Sequence, residues 1–490
     1  MNRYLQKTFE YAAGNFFNKV LLIILLPIFT HFLLPEEYAV YTNLMIFFSF
    51  ASMIYVLGLQ QAIISHFYDV QTDQYQFTLI SSIYIILSIF GIVFSSLLIV
   101  FRFELSQLVL RSTEYAHLFY YLALILFFNV FFTISLSLLN IMQKSRHYAI
   151  ISASQNTIVL LLIIVFSLKN SFSIEYYFIF LLIATVFASL AGISQVFRII
   201  NKTEITKSKK YFSYRIVRSM LRFGLIMIPG TISILILQAS DRYMLTYLSA
   251  NTLYDVGIYA AGYRIGMIMH FLVTLTSLVY LPYAMKIAGG PRAQEMNRNM
   301  FKYFIIFGSL FGAFIISYSQ EIFRFIIDAN YLSSYKIVFA GVISSFLYGI
   351  FNIVNINYYA RKRPGNITLA VILGSIINII LNFILIPVYG IYGAGIASII
   401  AYFVIVIFNY FVAVHLFQIK YPIMLIFVGL LILASASLAN IYTEFNWSTF
   451  VFKSIIFLGI IGLSFLLLRK DDNIKNLIKI LTNKAEQNEI

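Results

Sequence analysis

The amino-acid sequence predicts an all-α integral membrane protein of about fourteen transmembrane helices, with both termini on the cytoplasmic side. Three observations predict it. The chain of 490 residues is 61% hydrophobic and only 11% charged, with a mean hydropathy of +0.88. Soluble chains carry roughly a quarter charged residues, so one water-facing core does not conceal this much apolar surface and lipid must be the solvent. Apolar stretches long enough to cross a bilayer, about 20 residues each, recur along the whole chain. Basic residues fall mainly on alternate connections between them, as the positive-inside rule requires.

In chain order the apolar stretches cover 13–34, 38–64, 78–101, 116–142, 149–168, 175–197, 222–248, 254–285, 301–327, 333–359, 366–388, 390–416, 421–441 and 447–468. The first shows no small-residue cleavage site, so it reads as a retained helix rather than a signal peptide. With a cytoplasmic N-terminus, 25 of the 34 Lys and Arg residues lie on inner segments. The longest inner loop carries eight: Arg198, Lys202, Lys207, Lys209, Lys210, Arg215, Arg218 and Arg222. External loops hold only Arg102, Arg111 and Lys169. An odd number of spans would spoil this alternation, so both ends are placed inside. The net charge of +15 therefore reads as membrane topology, and no nucleic-acid partner is expected.

The loop at 198–222 divides the chain into six helices before it and eight after. A faint echo links the halves: Glu36-Glu37-Tyr38-Ala39-Val40-Tyr41 opens the second span and Tyr254-Asp255-Val256-Gly257-Ile258-Tyr259 the eighth. Both follow an external turn, as parallel repeats about an axis normal to the membrane would. The expected division is an N-terminal lobe over 1–200, a C-terminal lobe over 201–420, two further helices over 421–468 and a cytoplasmic amphipathic tail over 469–490. In that tail Ile474, Leu477, Ile478 and Leu481 recur at helical spacing, with Lys475, Lys479 and Lys484 off the stripe. Such a segment suits anionic membrane lipid. Segment 211–222 mixes apolar and basic residues in the same way.

Several chemistries are excluded or disfavoured. The chain has no cysteine, which removes disulfides and thiolate metal sites. It has no phosphate-binding loop of the G-x-x-x-x-G-K-[ST] type and no H-E-x-x-H metal spacing. The longest external loop, near 102–115, is too short for a catalytic domain. No enzymatic activity and no cofactor are expected.

Charges inside the spans then need a role, because each costs about 2.5–3.5 kcal/mol or more at the centre of a spanning helix. Arg264 lies nine residues into its span, roughly 14 Å deep at 1.5 Å per residue, beyond easy reach of water. It is read as lining a cavity. Asp241 and Arg242 lie near the outer end of the seventh span, about 100° apart and so poor partners for each other; Asp241 is a candidate partner of Arg264. Lys19, with Asn15 one turn before it, either snorkels to the inner headgroups or lines the same cavity. Arg324, Lys336 and Lys453 read as interfacial anchors. Among these charges Asp241 is the one carboxylate expected well inside. The excess of cations favours an anionic substrate, since positive charge lowers the cost of bringing an anion into low dielectric.

Five stretches carry a family resemblance. They are Leu34-Pro35-Glu36-Glu37-Tyr38-Ala39-Val40-Tyr41 with Leu57-Gly58-Leu59; Phe223-Gly224-Leu225 with Pro229 and Ala239-Ser240-Asp241-Arg242-Tyr243; Val256 to Arg264, ending at Pro282; Ala329-Asn330-Tyr331; and the run from Asn378 to Ala394. In order and spacing the chain resembles the polysaccharide flippases of the multidrug/oligosaccharidyl-lipid/polysaccharide exporter superfamily. The family usually has glycine where Ala39 stands. The resemblance implies a two-lobed transporter whose central cavity opens alternately to each side. It implies export of a polyprenyl diphosphate-linked O-antigen or capsule repeat unit across the cytoplasmic (inner) membrane, beside a polysaccharide polymerase and other assembly proteins. Arg242 and Arg264 fall in family-like motifs as diphosphate-gripping cations, and Lys19 is a first-helix counterpart. Tyr259, Asn15 and Gln238 are candidates for sugar hydroxyls, and Asp241 for ion coupling. The rivals are a drug or metabolite antiporter of the same superfamily, a membrane glycosyltransferase or polymerase, and a scaffold.

Overall fold

The computed structural model describes residues 24–67, 72–169, 172–200, 211–286, 291–360, 365–417, 419, 421–442 and 446–468. Within them the chain is helical, and no strand occurs among the described residues. The helices are α1 (24–32), α2 (Pro35–Val56), α3 (Leu59–His66), α4 (Asp73–Val100), α5 (Arg102–Leu110), α6 (Leu118–Ile141), α7 (Ser145–Ser167), α8 (Ile174–Ile200), α9 (Tyr214–Leu248), α10 (Thr252–Gly266), α11 (Met269–Lys286), α12 (Pro291–Ser317), α13 (Ser319–Ile326), α14 (Val338–Ala360), α15 (Gly365–Tyr389), α16 (Ile391–Phe417), α17 (Met424–Tyr442) and α18 (Trp447–Leu468). Ten of the described helices are long and apolar enough to cross a membrane, or eleven if α10 and α11 form one bent span. The chain is a multi-pass membrane protein. The predicted amphipathic tail lies outside the described residues.

Local sequence explains where these helices begin and break. Pro35 occupies the first turn of α2, and the Glu37 carboxylate accepts a hydrogen bond from the Leu34 N–H at 2.9 Å. A proline costs nothing at that position, and an acidic first turn complements the helix dipole. Thr72 caps α4 by accepting from the Tyr75 N–H at 3.3 Å. The apolar stretch 38–64 predicts one continuous helix. Instead Leu57 and Gly58 take left-handed conformations, with φ of 53° and 67°, and separate α2 from α3. A Cβ on Gly58 would stand 2.2 Å from the Gly224 carbonyl oxygen on α9. Glycine is required there by its φ and by the close approach of two backbones.

Other boundaries also moved. The expected external loop at 102–115 contains α5, and segment 211–222 is continuous with the 35-residue α9 rather than a separate interfacial helix. The span predicted as 254–285 is broken after Gly266, with the pieces inclined by 44°.

Packing sorts the chain into two units. One comprises Met1–Ala261, Ile326–Ser333 and Thr368–Ala401. Its core includes an aromatic group in which Phe29, Tyr41 and Tyr177 meet edge to face, with centroids 4.8 to 5.3 Å apart. Asn43 on α2 donates to Thr246 Oγ1 on α9 at 2.9 Å, and the Tyr243 hydroxyl donates back to the Asn43 carbonyl at 3.0 Å. The other unit comprises Gly262–Phe325, Ser334–Ile367 and Tyr402–Ile490. There Asn409 donates to Asn355 Oδ1 at 2.9 Å and Tyr358 to the Asn409 carbonyl at 3.0 Å, tying α14 to α16.

The second unit corrects one expectation. Lys453 is not simply an interfacial anchor. Its ammonium lies 3.5 Å from Glu321 Oε1, with the two side chains only 12% and 7% exposed, and it also donates to the Ser317 carbonyl at 3.1 Å. Glu321 is thus a second buried carboxylate that the sequence reading did not single out. Arg324, by contrast, is exposed, as an anchor would be.

Candidate functional site

The first unit gathers polar side chains from four helices around Asp241, which is 3% exposed. Asp241 and Ser240 project from α9, Tyr259 from α10, Asn378 and Asn382 from α15, and Ser398 from α16. The Tyr259 hydroxyl donates to Asp241 Oδ2 at 2.7 Å, and Ser398 Oγ donates to the same oxygen at 2.6 Å. Asn382 Nδ2 donates to Oδ1 at 2.9 Å and to Asn378 Oδ1 at 3.1 Å. Asn378 Oδ1 also accepts from Ser240 Oγ at 2.7 Å, while its amide donates to Ser398 Oγ at 3.3 Å. Asn378, Asn382 and Ser398 are fully buried, and Tyr259 nearly so.

Energetics explain why a carboxylate tolerates this place. Removing an ion from water costs several kcal/mol even after relaxation. Each hydrogen bond to a charged group returns about 1.5–3 kcal/mol, so three such donors bring the balance close to even. All three donors are neutral. Adding a proton or a small cation to this carboxylate therefore displaces no fixed positive charge among its described hydrogen-bond partners. The surrounding groups are oxygens and amides, the donor set of a hard cation. One acceptor there is unused: Asn382 Oδ1 is buried without a hydrogen-bond partner. Hydroxyls and a carboxamide reorient by rotation about a single bond, so the cluster can present oxygens as well as protons.

The structure brings together two of the residues singled out from sequence, Asp241 and Tyr259, in a different relation from the one expected. Tyr259 is 1% exposed and its hydroxyl is committed to Asp241; in this arrangement it does not present that hydroxyl to a sugar. Arg242 is half-buried and donates to the Gln238 carbonyl at 3.3 Å, whereas the Gln238 side chain is exposed. Arg264, half-buried in the last turn of α10, belongs to the second unit and precedes the 44° bend. Lys19 and Asn15 lie outside the described residues.

Asn378, Asn382, Ser240 and Ser398 received no role from the sequence. A usable signal existed for the asparagines. Two carboxamides four residues apart in an otherwise apolar helix share one face, and a polar side chain facing hydrocarbon is expensive. Ser398 carries no comparable mark, because a lone serine in a span satisfies itself against its own helix.

A family model described as polysaccharide biosynthesis protein matches residues 4–288, more than half of the chain. A curated relative, an uncharacterized membrane protein of Methanocaldococcus jannaschii, is 26% identical over 323 residues, 62% of this chain. The match spans 61% of that relative's length. Among solved structures, the lipid II flippase MurJ in an inward closed conformation superposes with a TM-score of 0.75 at 18% identity, covering 94% of this chain and 99% of its own. An inward-facing multidrug resistance transporter of the MATE family in the MOP superfamily gives 0.59 at 14% identity, covering 85% and 95%. A MATE transporter of Vibrio cholerae gives 0.56 at 16%, covering 86% and 97%. At these identities the likeness is one of fold.

Proposed function

This chain belongs to the polysaccharide biosynthesis protein family, and on that basis we propose that it flips a polyprenyl diphosphate-linked oligosaccharide repeat unit. The unit moves from the inner to the outer leaflet of the cytoplasmic membrane by alternating access, for cell-surface polysaccharide synthesis. The likeness of fold to a lipid II flippase supports this reading. The observation that carries it is the buried Asp241 carboxylate, held among the described residues by neutral donors from three other side chains. A membrane protein with no transport step has no evident use for a carboxylate left open to a proton or cation in its interior.

In this mechanism the prenyl tail stays in lipid while the headgroup enters a cavity between an N-terminal and a C-terminal lobe. Arg264, Arg242 and Lys19 grip the diphosphate, and Asn15 and Gln238 contact sugar hydroxyls. Asp241 takes up the coupling ion, with Tyr259, Asn382 and Ser398 adjusting their hydrogen bonds around it. With the cell interior negative, outward movement of an anion is favoured by about 2.3 kcal/mol per charge per 100 mV. Polymerase and assembly proteins take the product on the outer face.

The fold shared with MATE transporters supports a second reading, an ion-coupled drug or metabolite antiporter. One assay separates the two. The protein is reconstituted in vesicles with a labelled lipid-linked repeat unit, and the label reaching the opposite leaflet is measured. Translocation that is lost in Arg264→Ala is the expected result. Efflux of a cationic dye without lipid movement would establish the antiporter instead.

A further inference from the structure

We propose that a cleft beside the α2–α3 break is a subsite for an uncharged, hydroxyl-bearing sugar of the cargo headgroup, an inference that rests on the flippase reading above. The cleft opens to its surroundings, has a cavity volume of about 110 Å³ and is lined from α2, α3, α6 and α9, all within the first unit.

Lining chemistry selects the ligand class. The polar groups are the carboxamides of Gln60 and Gln61 and the hydroxyls of Ser52, Thr133 and Thr231. Every one both donates and accepts, which is what a ring of vicinal hydroxyls requires. Met53 and Ile228 supply apolar wall for the C–H faces of such a ring. No charged side chain lines the cleft among the described residues. A phosphate would enter without a counter-charge, and an organic cation would find neither a carboxylate nor an aromatic face. A prenyl chain would bury these hydroxyls and amides without partners.

Gln60, Gln61 and Ser52 keep hydrogen-bonding capacity of their own. Gln60 is exposed and Gln61 half-buried, and among the described residues neither carboxamide makes a hydrogen bond. Ser52 Oγ accepts from Asn129 Nδ2 at 3.3 Å, which leaves its own proton to donate into the cleft.

Backbone geometry explains why these residues meet. Ser52 and Met53 precede the break at Leu57 and Gly58, and Gln60 and Gln61 follow it. In an unbroken helix eight residues separate Ser52 from Gln60 by about 12 Å along one axis. The two left-handed residues turn α3 so that both segments wall one cleft, and the contact of Gly58 with Gly224 fixes that turn against α9.

The test compares two lipids on the full-length protein in nanodiscs: a polyprenyl diphosphate bearing one neutral hexose, and the same lipid without sugar. Binding of each is measured by competition with a radiolabelled copy, and the ratio of the two affinities is the readout. The double variant Gln60→Leu, Gln61→Leu should lower that ratio about tenfold, the scale of one to two lost hydrogen bonds. Thr133→Val, nearly isosteric, should lower it about threefold and serves if the double variant does not fold. A ratio unchanged in Thr133→Val and in a folded double variant overturns the subsite. So does a wild-type protein that binds both lipids equally, a result that leaves the flippase reading standing. A wild-type protein that binds neither lipid removes the flippase reading and the subsite with it.

Discussion

Two buried carboxylates in this molecule are compensated in opposite ways. Asp241, in the first unit, is held by the hydroxyls of Tyr259 and Ser398 and the amide of Asn382. Glu321, in the second, faces the ammonium of Lys453 at 3.5 Å. A cation supplied by the protein faces Glu321 at 3.5 Å, so that carboxylate carries its counter-charge within the fold. Hydroxyl and amide dipoles hold Asp241, and no cation is among its hydrogen-bond partners in the described residues. Glu321 joins the α12–α13 break to α18, whereas Asp241 joins α9 to α10, α15 and α16 through neutral groups; under the proposed mechanism the first contact is architectural and the second couples the ion.

The largest expected effect tests the architectural half. Lys453→Ala leaves Glu321 buried without its counter-charge and should destabilise the protein by roughly 3–5 kcal/mol, seen as a lower unfolding temperature in detergent. Lys453→Met combined with Glu321→Gln should recover most of that loss. A double variant no better than the single one would break the comparison.

The working half is tested next. Asp241→Asn keeps the shape and removes the charge. If one coupled charge is lost, ion-driven translocation in vesicles held at 100 mV should fall roughly 50-fold, the equivalent of about 2.3 kcal/mol. The unfolding temperature should move far less than in Lys453→Ala. A large stability change with no change in ion dependence would make Asp241 architectural too.

Smaller effects sharpen the picture. Ser398→Ala and Tyr259→Phe each remove one hydrogen-bond donor from the Asp241 carboxylate, a loss of about 1.5 kcal/mol of ligation. The expected readout is roughly a tenfold shift in the ion concentration giving half-maximal translocation. Arg324→Gln, at an exposed anchor near Glu321 in sequence, should stay within about 0.5 kcal/mol of the parent in stability. A larger effect there would extend the Glu321 ion pair into a wider charge network.

Both carboxylates were visible in the sequence, but not equally. Asp241 stands in a long apolar stretch beside Arg242, and its isolation made it conspicuous. Glu321 lies near the end of its stretch, where a charge normally reaches water, so nothing in the local sequence marked it as buried. Lys453 misled in the same way. The network around Asp241 drew on α15 and α16, more than a hundred residues away in sequence, and periodicity within one helix says nothing about which other helix faces it. Tyr259 is a polar ring in a family-like motif, but packing decides its partner.

Composition, the recurrence of apolar stretches and the placement of Lys and Arg determined by themselves that this is an all-helical, multi-pass membrane protein, because the cost of putting backbone and charge into lipid leaves few other solutions. The order of its motifs determined the family. Only the tertiary structure decided where spans break, at Leu57–Gly58 and after Gly266, which buried carboxylate meets a cation and which meets neutral donors, and which polar groups remain open to a ligand. Those outcomes depend on contacts between residues far apart in the chain, and hydropathy read along one helix carries no record of them.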